Sequence, residues 1–228
     1  MNRHTDTVVC FDLGGVVLRI CRSINEAIER AGLEQRDHER DVSQHEQTVH
    51  AHQTGRLSCA EYYEAISAEF GGVYTPEEIE LAHFLWIIED YAGIATVVEE
   101  LNNTAGVRTA CLSNTSDSHW KSMQGIERID HHAHAGPSEA IACIQHKLVS
   151  HELGVMKPNE RIYELAEEKL DVRPEQIVFF DDVQENVETA HARGWRARRI
   201  NPEDETSVQV RTYLTNEIGV LSGSPKSC

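Results

Sequence analysis

Three short apolar runs that each end in polar residues constrain the fold of this chain more than any other feature of the sequence. They cover residues 7–11, 107–112 and 176–180, and they are followed by Asp12, by Ser113-Asn114-Thr115 and by Asp181-Asp182. The first run is β-branched and lacks polar alternation, which is typical of a strand buried on both faces of a parallel sheet. Because helical patterns separate the runs, the sequence predicts an α/β fold with a doubly wound parallel sheet.

The segment between the first two runs carries helical signals only. A polar, histidine-rich helix is predicted over about residues 37–53, and capping boxes at 58–61 and 75–78 open two more. No strand pattern is found between residues 23 and 90. We therefore predict two domains, an α/β core of residues 1–17 and 91–228 and an inserted all-helical cap of residues 18–90.

The composition of the chain limits which partners it is expected to bind and where in the cell it is expected to be. The 228 residues include 21 Lys and Arg against 38 Asp and Glu, a formal net charge of −17. This acidic balance argues against binding to nucleic acid or to an anionic membrane surface. No run of about 18 apolar residues is present, so we expect no membrane span. The first apolar run resembles no signal peptide, and six scattered cysteines suggest reduced thiols, so the expected location is cytoplasmic.

The polar ends of the three strands are expected to meet at one site. In an open parallel sheet, ligands bind at the carboxyl ends of the strands. Adjacent carboxylates such as Asp181 and Asp182 repel each other unless a cation lies between them, and oxygen ligands favour Mg²⁺. Lys157, just before a predicted helix, is expected near the same edge. A carboxylate nucleophile, a divalent ion, a hydroxyl and an ammonium together suit phosphoryl transfer through an aspartyl-phosphate on Asp12.

These residues also resemble the four motifs of the haloacid dehalogenase-like (HAD) hydrolases. The matching segments, in the family's order, are Phe11-Asp12-Leu13-Gly14-Gly15-Val16-Val17, Leu112-Ser113-Asn114-Thr115, Lys157-Pro158 and Phe179-Phe180-Asp181-Asp182. The resemblance covers nearly the whole chain, and residues 18–90 look like the family's helical cap. Within the superfamily, the motifs look most like the branch of glucose-1-phosphate-type phosphatases. The resemblance implies a Mg²⁺-dependent hydrolase of a small phosphorylated metabolite, such as a sugar phosphate.

The resemblance also implies a role for each matching residue. Asp12 would be the nucleophile and a Mg²⁺ ligand, and Lys157 would neutralise Asp12 and the phosphate. Ser113 and the backbone N–H of Asn114 would bind the phosphoryl oxygens. The remaining metal ligands would be the Gly14 carbonyl, Asp182 directly and Asp181 through a water, with Asn186 supporting the acidic loop.

Gly14 departs from the common family pattern. That pattern has a second Asp at this position, which protonates the leaving oxygen and later activates water, although glycine also occurs in the sugar-phosphate branch. A general acid or base contributes about 10²–10⁴ in rate. Either the reaction is slow, or the substrate or a cap residue supplies the proton. His50 and His52, just before the Thr54-Gly55 break, are the candidates from the sequence.

Two other functions remain open at this point. A 2-haloacid dehalogenase would use Asp12 on carbon without metal or proton donor, and would need an arginine such as Arg19 or Arg22 for the substrate carboxylate. A degenerate HAD-like protein would bind a phosphorylated ligand or a protein partner without turnover. The histidines of segment 131–134 lack partners at zinc-ligand spacing, so this segment is interpreted as a surface loop.

Overall fold

A five-stranded parallel sheet forms the centre of the protein. The computed structural model describes residues 6–37, 41–126 and 137–221. The strands are β1 (Thr7–Phe11), β2 (Leu18–Ile20), β3 (Ile87–Asp90), β4 (Val107–Ser113), β5 (His146–Val149), β6 (Ile177–Asp181) and β7 (Arg196–Arg199). Their order in the large sheet is β5-β4-β1-β6-β7, and all neighbours are parallel. The predicted α/β class with a parallel sheet is confirmed.

Helices cover both faces of this sheet. They are α1 (Ile24–Arg30), α2 (Val42–Gln53), α3 (Cys59–Glu69), α4 (Pro76–Phe84), α5 (Ile94–Asn102), α6 (Asp117–Met123), α7 (Glu139–Cys143), α8 (Ser150–Leu153), α9 (Glu160–Leu170), α10 (Gln184–Ala192) and α11 (Thr206–Tyr213). Apolar residues of α5, α6, α7 and α11 pack on one face, and those of α9 and α10 on the other. Among the described residues, no helix combines the length and the apolar character needed to cross a bilayer.

Strand β1 shows why the sheet is buried on both sides. Val9 and Phe11 belong to the apolar cluster on one face, and Val8 and Cys10 belong to the cluster on the other. All four side chains are inaccessible to solvent. Successive side chains of a strand point to opposite faces, so a continuous apolar run fits only a central strand between two helical layers.

The helical segment after β1 has an apolar core of its own. Helices α1, α3 and α4 contribute Ala27, Ile28, Ile66, Ile79 and Ala82 to a third cluster, separate from the two that flank the sheet. The capping boxes predicted at Ser58 and Thr75 are both present at the starts of α3 and α4. The division of the chain into a core and a cap domain stays a prediction.

One expectation for this segment is wrong, because residues 23–90 are not purely helical. Strand β3 pairs antiparallel with β2, at the places where the chain leaves and re-enters the sheet region. The local sequence around Ile87 continues the apolar pattern of α4. The strand therefore depends on a partner 67 positions earlier, as in the pair Ile20 and Ile87, which no local pattern could reveal.

Two helix starts also differ from the sequence prediction. Helix α9 begins at Glu160, two residues after Pro158, because the Asn159 side chain accepts a hydrogen bond from the Arg161 N–H and caps the helix. Helix α2 begins at Val42, where Asp41 is the cap. The histidine-rich segment 131–134 lies outside the described residues.

Candidate active site at the carboxyl edge of the sheet

The topology brings the three predicted strand ends side by side. Strands β4, β1 and β6 are neighbours, so Ser113 at the end of β4, Asp12 just after β1 and Asp181 at the end of β6 lie along one edge. All three are buried. The Asp12 N–H donates to the Phe180 carbonyl oxygen at 2.8 Å, which ties the residue after β1 to the end of β6.

Lys157 lies between two of these carboxylates. Its Nζ is 2.9 Å from Asp12 Oδ1 and 2.7 Å from Asp181 Oδ2, and its side chain is completely buried. The Asn114 side chain fixes the backbone of Lys157 from both sides. The Lys157 N–H donates to Asn114 Oδ1 at 2.8 Å, and Asn114 Nδ2 donates to the Lys157 carbonyl at 2.9 Å. The sequence did not predict this positioning role for the Asn114 side chain.

The two oxygens of Asp181 accept four hydrogen bonds. Oδ1 accepts from the Val183 N–H at 2.8 Å and from Asn186 Nδ2 at 3.1 Å. Oδ2 accepts from Lys157 Nζ at 2.7 Å and from Asn186 Nδ2 at 3.0 Å. A carboxylate so fully engaged holds its neighbours in place. Asn186 therefore supports the acidic loop, which is the role that the family resemblance implied for it.

The carboxylates of Asp12, Asp181 and Asp182 form a cluster that fits a metal ion. One oxygen of each lies within 4.8 Å of the others. Burial, with Asp181 nearby, raises the pKa of Asp12 to about 7 against the lowering effect of Lys157. Burial and Asp181 also raise the pKa of Asp182. A divalent cation would relieve this repulsion, and hard carboxylate oxygens suit Mg²⁺.

The turn after β1 leaves room for these ligands. Gly15 has a φ of +80°, and a Cβ there would lie 2.4 Å from Asp182 Oδ2, so a larger residue would displace this carboxylate. The Gly14 carbonyl accepts no hydrogen bond from the described part of the chain. It is therefore free to act as a ligand.

Lys157 stays protonated in this environment. Burial alone would lower the pKa of its ammonium, but Asp12 and Asp181 more than compensate, and the pKa is raised above its ordinary value. The ammonium is therefore a fixed positive charge at the sheet edge.

Arg22 supplies a second positive charge at this edge. Its Nη1 lies 3.2 Å from Asp182 Oδ2, and its side chain is 40% exposed. Arg19, the other arginine considered from the sequence, instead pairs with Glu89 at 2.7 Å on the surface, where both side chains are more than half exposed. Only Arg22 of the two lines the cavity beside the site.

A cavity of about 430 Å³ lies between the sheet edge and the helical segment. This volume is in the range that accommodates a small organic ligand. Leu13 and Gly14 line its floor next to the nucleophile position, and Ser113 lines it with a hydroxyl that makes no hydrogen bond to other described residues. Its polar lining residues beyond Gly14 are Arg22, Ser23, His45, Gln53, Tyr62, His83, Ser113, Asn114, Thr115 and His119.

The histidines predicted to replace the missing acid do not line this cavity. His52 is buried, stacks on Tyr62 with ring centroids 4.0 Å apart and contacts the Cys59 thiol. His50 pairs with Arg56 on a different, open face of α2. The reason is helical geometry: α2 directs Gln53 and Val49 toward the cavity, and residues 50 and 52 lie on other faces of the same helix.

His83 and His119 line the cavity instead, and they stack on each other. Their rings are 3.8 Å apart and nearly parallel, and His119 Nε2 lies 2.6 Å from the His83 carbonyl oxygen. Because a carbonyl only accepts hydrogen bonds, Nε2 carries the proton. Burial lowers the pKa of His119 to about 4, and burial together with His119 lowers that of His83 well below its ordinary value. Both rings are therefore neutral near pH 7.

Ser150 is a site residue that the sequence did not identify. Its hydroxyl accepts from the Thr115 N–H at 2.9 Å and lies 2.6 Å from the Gln53 carbonyl. It thus joins the end of β4 to the end of α2. Gly55, which follows α2, packs closely here, since a Cβ would lie 2.5 Å from the His151 carbonyl. A single serine after a four-residue strand carries no sequence signal of such a role.

Known structures share this fold. An HAD family enzyme from Bacteroides thetaiotaomicron has a TM-score of 0.71 at 19% identity, over 90% of this chain and 98% of that one. The same enzyme is known in complex with magnesium and inorganic phosphate. A predicted HAD-like hydrolase from Porphyromonas gingivalis has a TM-score of 0.70 at 22% identity, covering 93% and 99%. L-2-haloacid dehalogenase from Xanthobacter autotrophicus, with chloropropionic acid covalently bound, has 0.58 at 17%, covering 93% and 84%.

The family assignment rests on the sequence itself. No curated protein matches the chain significantly. The sequence model of the haloacid dehalogenase-like hydrolases, however, matches residues 7–194, which include all four motifs and the helical segment. The glucose-1-phosphate branch is not distinguished by this match and stays a prediction. This chain belongs to the haloacid dehalogenase-like hydrolase family.

Proposed function

We propose that this hydrolase is a Mg²⁺-dependent phosphomonoesterase that acts on a small phosphorylated metabolite through an aspartyl-phosphate on Asp12. The observation that carries the proposal is the buried Lys157 ammonium between Asp12 and Asp181, next to a cluster of three carboxylates. Positive charge at this edge suits a phosphate group, and Lys157 pairs with Oδ1 of Asp12, which leaves Oδ2 outside this ion pair. The B. thetaiotaomicron enzyme that binds magnesium and phosphate supports the same reaction class.

Each residue of the site has a role in the proposed reaction. Asp12 attacks phosphorus as the bond to the leaving oxygen breaks, and water then hydrolyses the acyl phosphate and restores the carboxylate. Lys157 favours the ionised form of Asp12 and neutralises the phosphoryl oxygens, which the Ser113 hydroxyl and the Asn114 N–H also bind. Mg²⁺, when bound, adds further charge neutralisation.

The metal would be held by one side of this constellation. Asp12, the Gly14 carbonyl and Asp182 would be the direct ligands, and Asp181 would act indirectly through a water, because its oxygens already accept four hydrogen bonds. The segment of residues 18–90 is a cap that covers the substrate and excludes water. The acidic net charge of −17 argues against nucleic acid and anionic membrane surfaces as partners.

Phosphate release from p-nitrophenyl phosphate tests this function. We expect release by the wild type with Mg²⁺, strong inhibition by EDTA, and a loss of roughly 10⁴-fold or more in the Asp12→Asn variant. The matched control is Asp204→Asn, which changes an exposed Asp outside the cluster of three carboxylates and is expected to keep full activity. Release that is insensitive to both EDTA and Asp12→Asn would disprove the proposal.

A dehalogenase is the second candidate, and Arg22 is the observation that favours it. This guanidinium lines the cavity next to the nucleophile position, where it could bind a substrate carboxylate. Halide leaves without a proton, so the lack of a proton donor at Gly14 would not slow that reaction. Halide release from 2-chloropropionate in the presence of EDTA, lost in Arg22→Gln but not in Arg19→Gln, would establish this function instead.

A further inference from the structure

Apolar side chains form much of the cavity wall away from the phosphate end. Of the 21 residues that line the whole cavity, ten have aliphatic or thioether side chains or the Trp86 indole. The partly exposed ones, which a ligand would touch, include Ile20, Ile24, Val49 and Trp86. A sugar hydroxyl placed against these apolar side chains would lose water without gaining a partner, at roughly 1–3 kcal/mol for each unpaired group.

The same wall offers no carboxylic acid to a leaving group. Among the described residues that line the cavity there is no carboxylic acid, lysine or cysteine. Two of its histidines, His83 and His119, are held neutral by burial of their rings, and His119 uses its N–H on a backbone carbonyl. The third, His45, lies with its Nδ1 3.0 Å from Glu69 Oε2. Neither a carboxyl group nor the His83–His119 pair therefore replaces the family's acid in the lining of this cavity.

Ile20 fills the position that the missing side chain would need. A Cβ on Gly14 would lie 2.8 Å from Ile20 Cδ1, closer than such atoms approach each other. A hydrocarbon group thus borders the side of the nucleophile where the family pattern has a proton donor. The apolar surface at this point is part of the architecture, since Ile20 belongs to β2 and pairs with Ile87.

We infer that the substrate is a phosphate monoester of an apolar aromatic hydroxyl compound, an aryl phosphate, rather than a sugar phosphate. The inference rests on the proposed phosphomonoesterase function and names the substrate class of the same site. The apolar wall binds the ring, with Trp86 and Tyr62 as aromatic neighbours. The sheet edge binds the phosphate. This differs from the sugar phosphate that the family resemblance implied.

An aryl leaving group also removes the need for a proton donor. An Asp12 oxygen bonds to phosphorus, the bond from phosphorus to the aryl oxygen breaks, and its electron pair leaves on that oxygen as a phenolate. A phenol resembles the Tyr side chain, whose hydroxyl has a pKa of about 10, whereas an alkanol is about as weak an acid as water. Water then hydrolyses the acyl phosphate to inorganic phosphate, and its released proton neutralises the phenolate in solution.

Two matched pairs of substrates test the inference. Cyclohexylmethyl phosphate and glucose 6-phosphate are both six-membered rings with the phosphate on a primary carbon, and they differ in hydroxyl groups. We expect kcat/KM to be at least about 100-fold higher for the apolar ring. Phenyl phosphate and cyclohexyl phosphate have rings of similar size and differ in the acidity of the leaving oxygen. We expect at least about 100-fold in favour of phenyl phosphate, the span of a missing general acid.

Two variants on one helix test whether the cavity wall causes the preference for the apolar ring over glucose 6-phosphate. Val49 lines the cavity and Val42 is exposed on the same helix, α2. Val49→Thr places a hydroxyl on the wall and is expected to reduce the preference for cyclohexylmethyl phosphate over glucose 6-phosphate by about 2- to 10-fold. Val42→Thr makes the same chemical change outside the cavity and is expected to leave the ratio unchanged.

The outcomes separate the inference from the function on which it rests. Asp12-dependent release that is equal or faster with glucose 6-phosphate, or equal for phenyl and cyclohexyl phosphate, overturns the aryl phosphate inference and leaves the phosphatase function standing. Absence of Asp12-dependent release from every ester, p-nitrophenyl phosphate included, overturns both. The expected order of the four esters, with the shift in Val49→Thr alone, supports both.

Discussion

The two ends of the cavity are built in opposite ways. At the sheet edge each charge is paired: the buried Lys157 contacts Asp12 and Asp181 within 3 Å, and the partly exposed Arg22 contacts Asp182. At the opposite wall, hydrocarbon side chains surround histidines that burial keeps neutral. Under the proposed function, the first arrangement provides the charge for chemistry on phosphate. The second provides apolar surface, and would therefore select the group attached to the phosphate.

The comparison predicts that the sheet edge is the more sensitive end. Lys157→Met should abolish phosphate release and lower the free energy of unfolding by roughly 3–5 kcal/mol, because it leaves Asp12 and Asp181 as buried charges without their counter-ion. Urea unfolding measures the change. Lys169→Met, at an exposed position in the last turn of α9, is the matched control and should have little effect.

A double variant separates charge from packing in that result. Adding Asp181→Asn to Lys157→Met removes one of the unpaired carboxylates, so it should recover part of the lost stability without restoring activity. If the double variant is as unstable as the single one, the loss comes from packing around the lysine stem, and the paired-charge description of this end is wrong.

The three crowded carboxylates of the sheet edge predict that Mg²⁺ stabilises the folded protein. We expect Mg²⁺ at about 100 times its dissociation constant to raise the free energy of unfolding by about 2.7 kcal/mol in the wild type. Asp182→Asn should remove most of this gain, since it takes one carboxylate from the cluster of three. Thermal unfolding with Mg²⁺ or EDTA measures it, and Asp204→Asn should respond like the wild type. Equal stabilisation of both variants would place the metal elsewhere.

The two ends also differ in how far the sequence predicts them. Each strand and its polar end form one contiguous sequence motif, and the parallel topology then places Asp12, Ser113 and Asp181 side by side. Lys157 was predicted near this edge, and it lies between the carboxylates. Local pattern and fold class were sufficient for Asp12, Ser113 and Asp181 because each of them directly follows, or ends, a recognisable strand.

The wall could not be predicted in the same way, because it is assembled from segments distant in the chain. Ile20 reaches its place by pairing with β3, and Ser150 reaches Gln53 across 97 positions. The orientation of α2 decided that His50 and His52 lie away from the cavity, and no periodicity in that polar helix indicated which face is inward. The substrate class, which depends on this wall, was therefore beyond the sequence.

The neutral histidines of the wall predict a loss of stability in acid. His119 has an ordinary pKa of 6.5 when unfolded and about 4 when folded. Between these values the unfolded chain binds a proton that the folded chain does not, so stability falls as the pH drops from 6.5 towards 4. At pH 5 the titration of His119 lowers the free energy of unfolding by roughly 1–2 kcal/mol relative to pH 7. His83, which stacks on it and is also held neutral by burial, adds in the same direction.

Urea unfolding at pH 7 and pH 5 isolates this contribution. His119→Gln keeps an N–H for the His83 carbonyl but does not titrate. Between pH 7 and pH 5 its free energy of unfolding should therefore fall by about 1–2 kcal/mol less than that of the wild type. His50→Gln, which changes an exposed histidine, should follow the wild type. An identical loss in all three proteins would mean that the wall takes no part in acid sensitivity.

The smallest predicted effect lies at the junction of the two ends. Ser150→Ala removes the hydroxyl that joins the Thr115 N–H to the Gln53 carbonyl, and should cost about 1 kcal/mol of stability. Ser207→Ala also removes a hydroxyl bonded to a backbone carbonyl, that of Ala92, but at a more exposed place. Ser207→Ala should cost less stability and leave KM unchanged.

Because Ser150 fixes α2 against the strand that carries Ser113, its loss should also raise KM for p-nitrophenyl phosphate several-fold with little change in kcat. A fall in kcat with constant KM would instead show that Ser150 acts on the sheet edge alone, and that the two ends are not joined there.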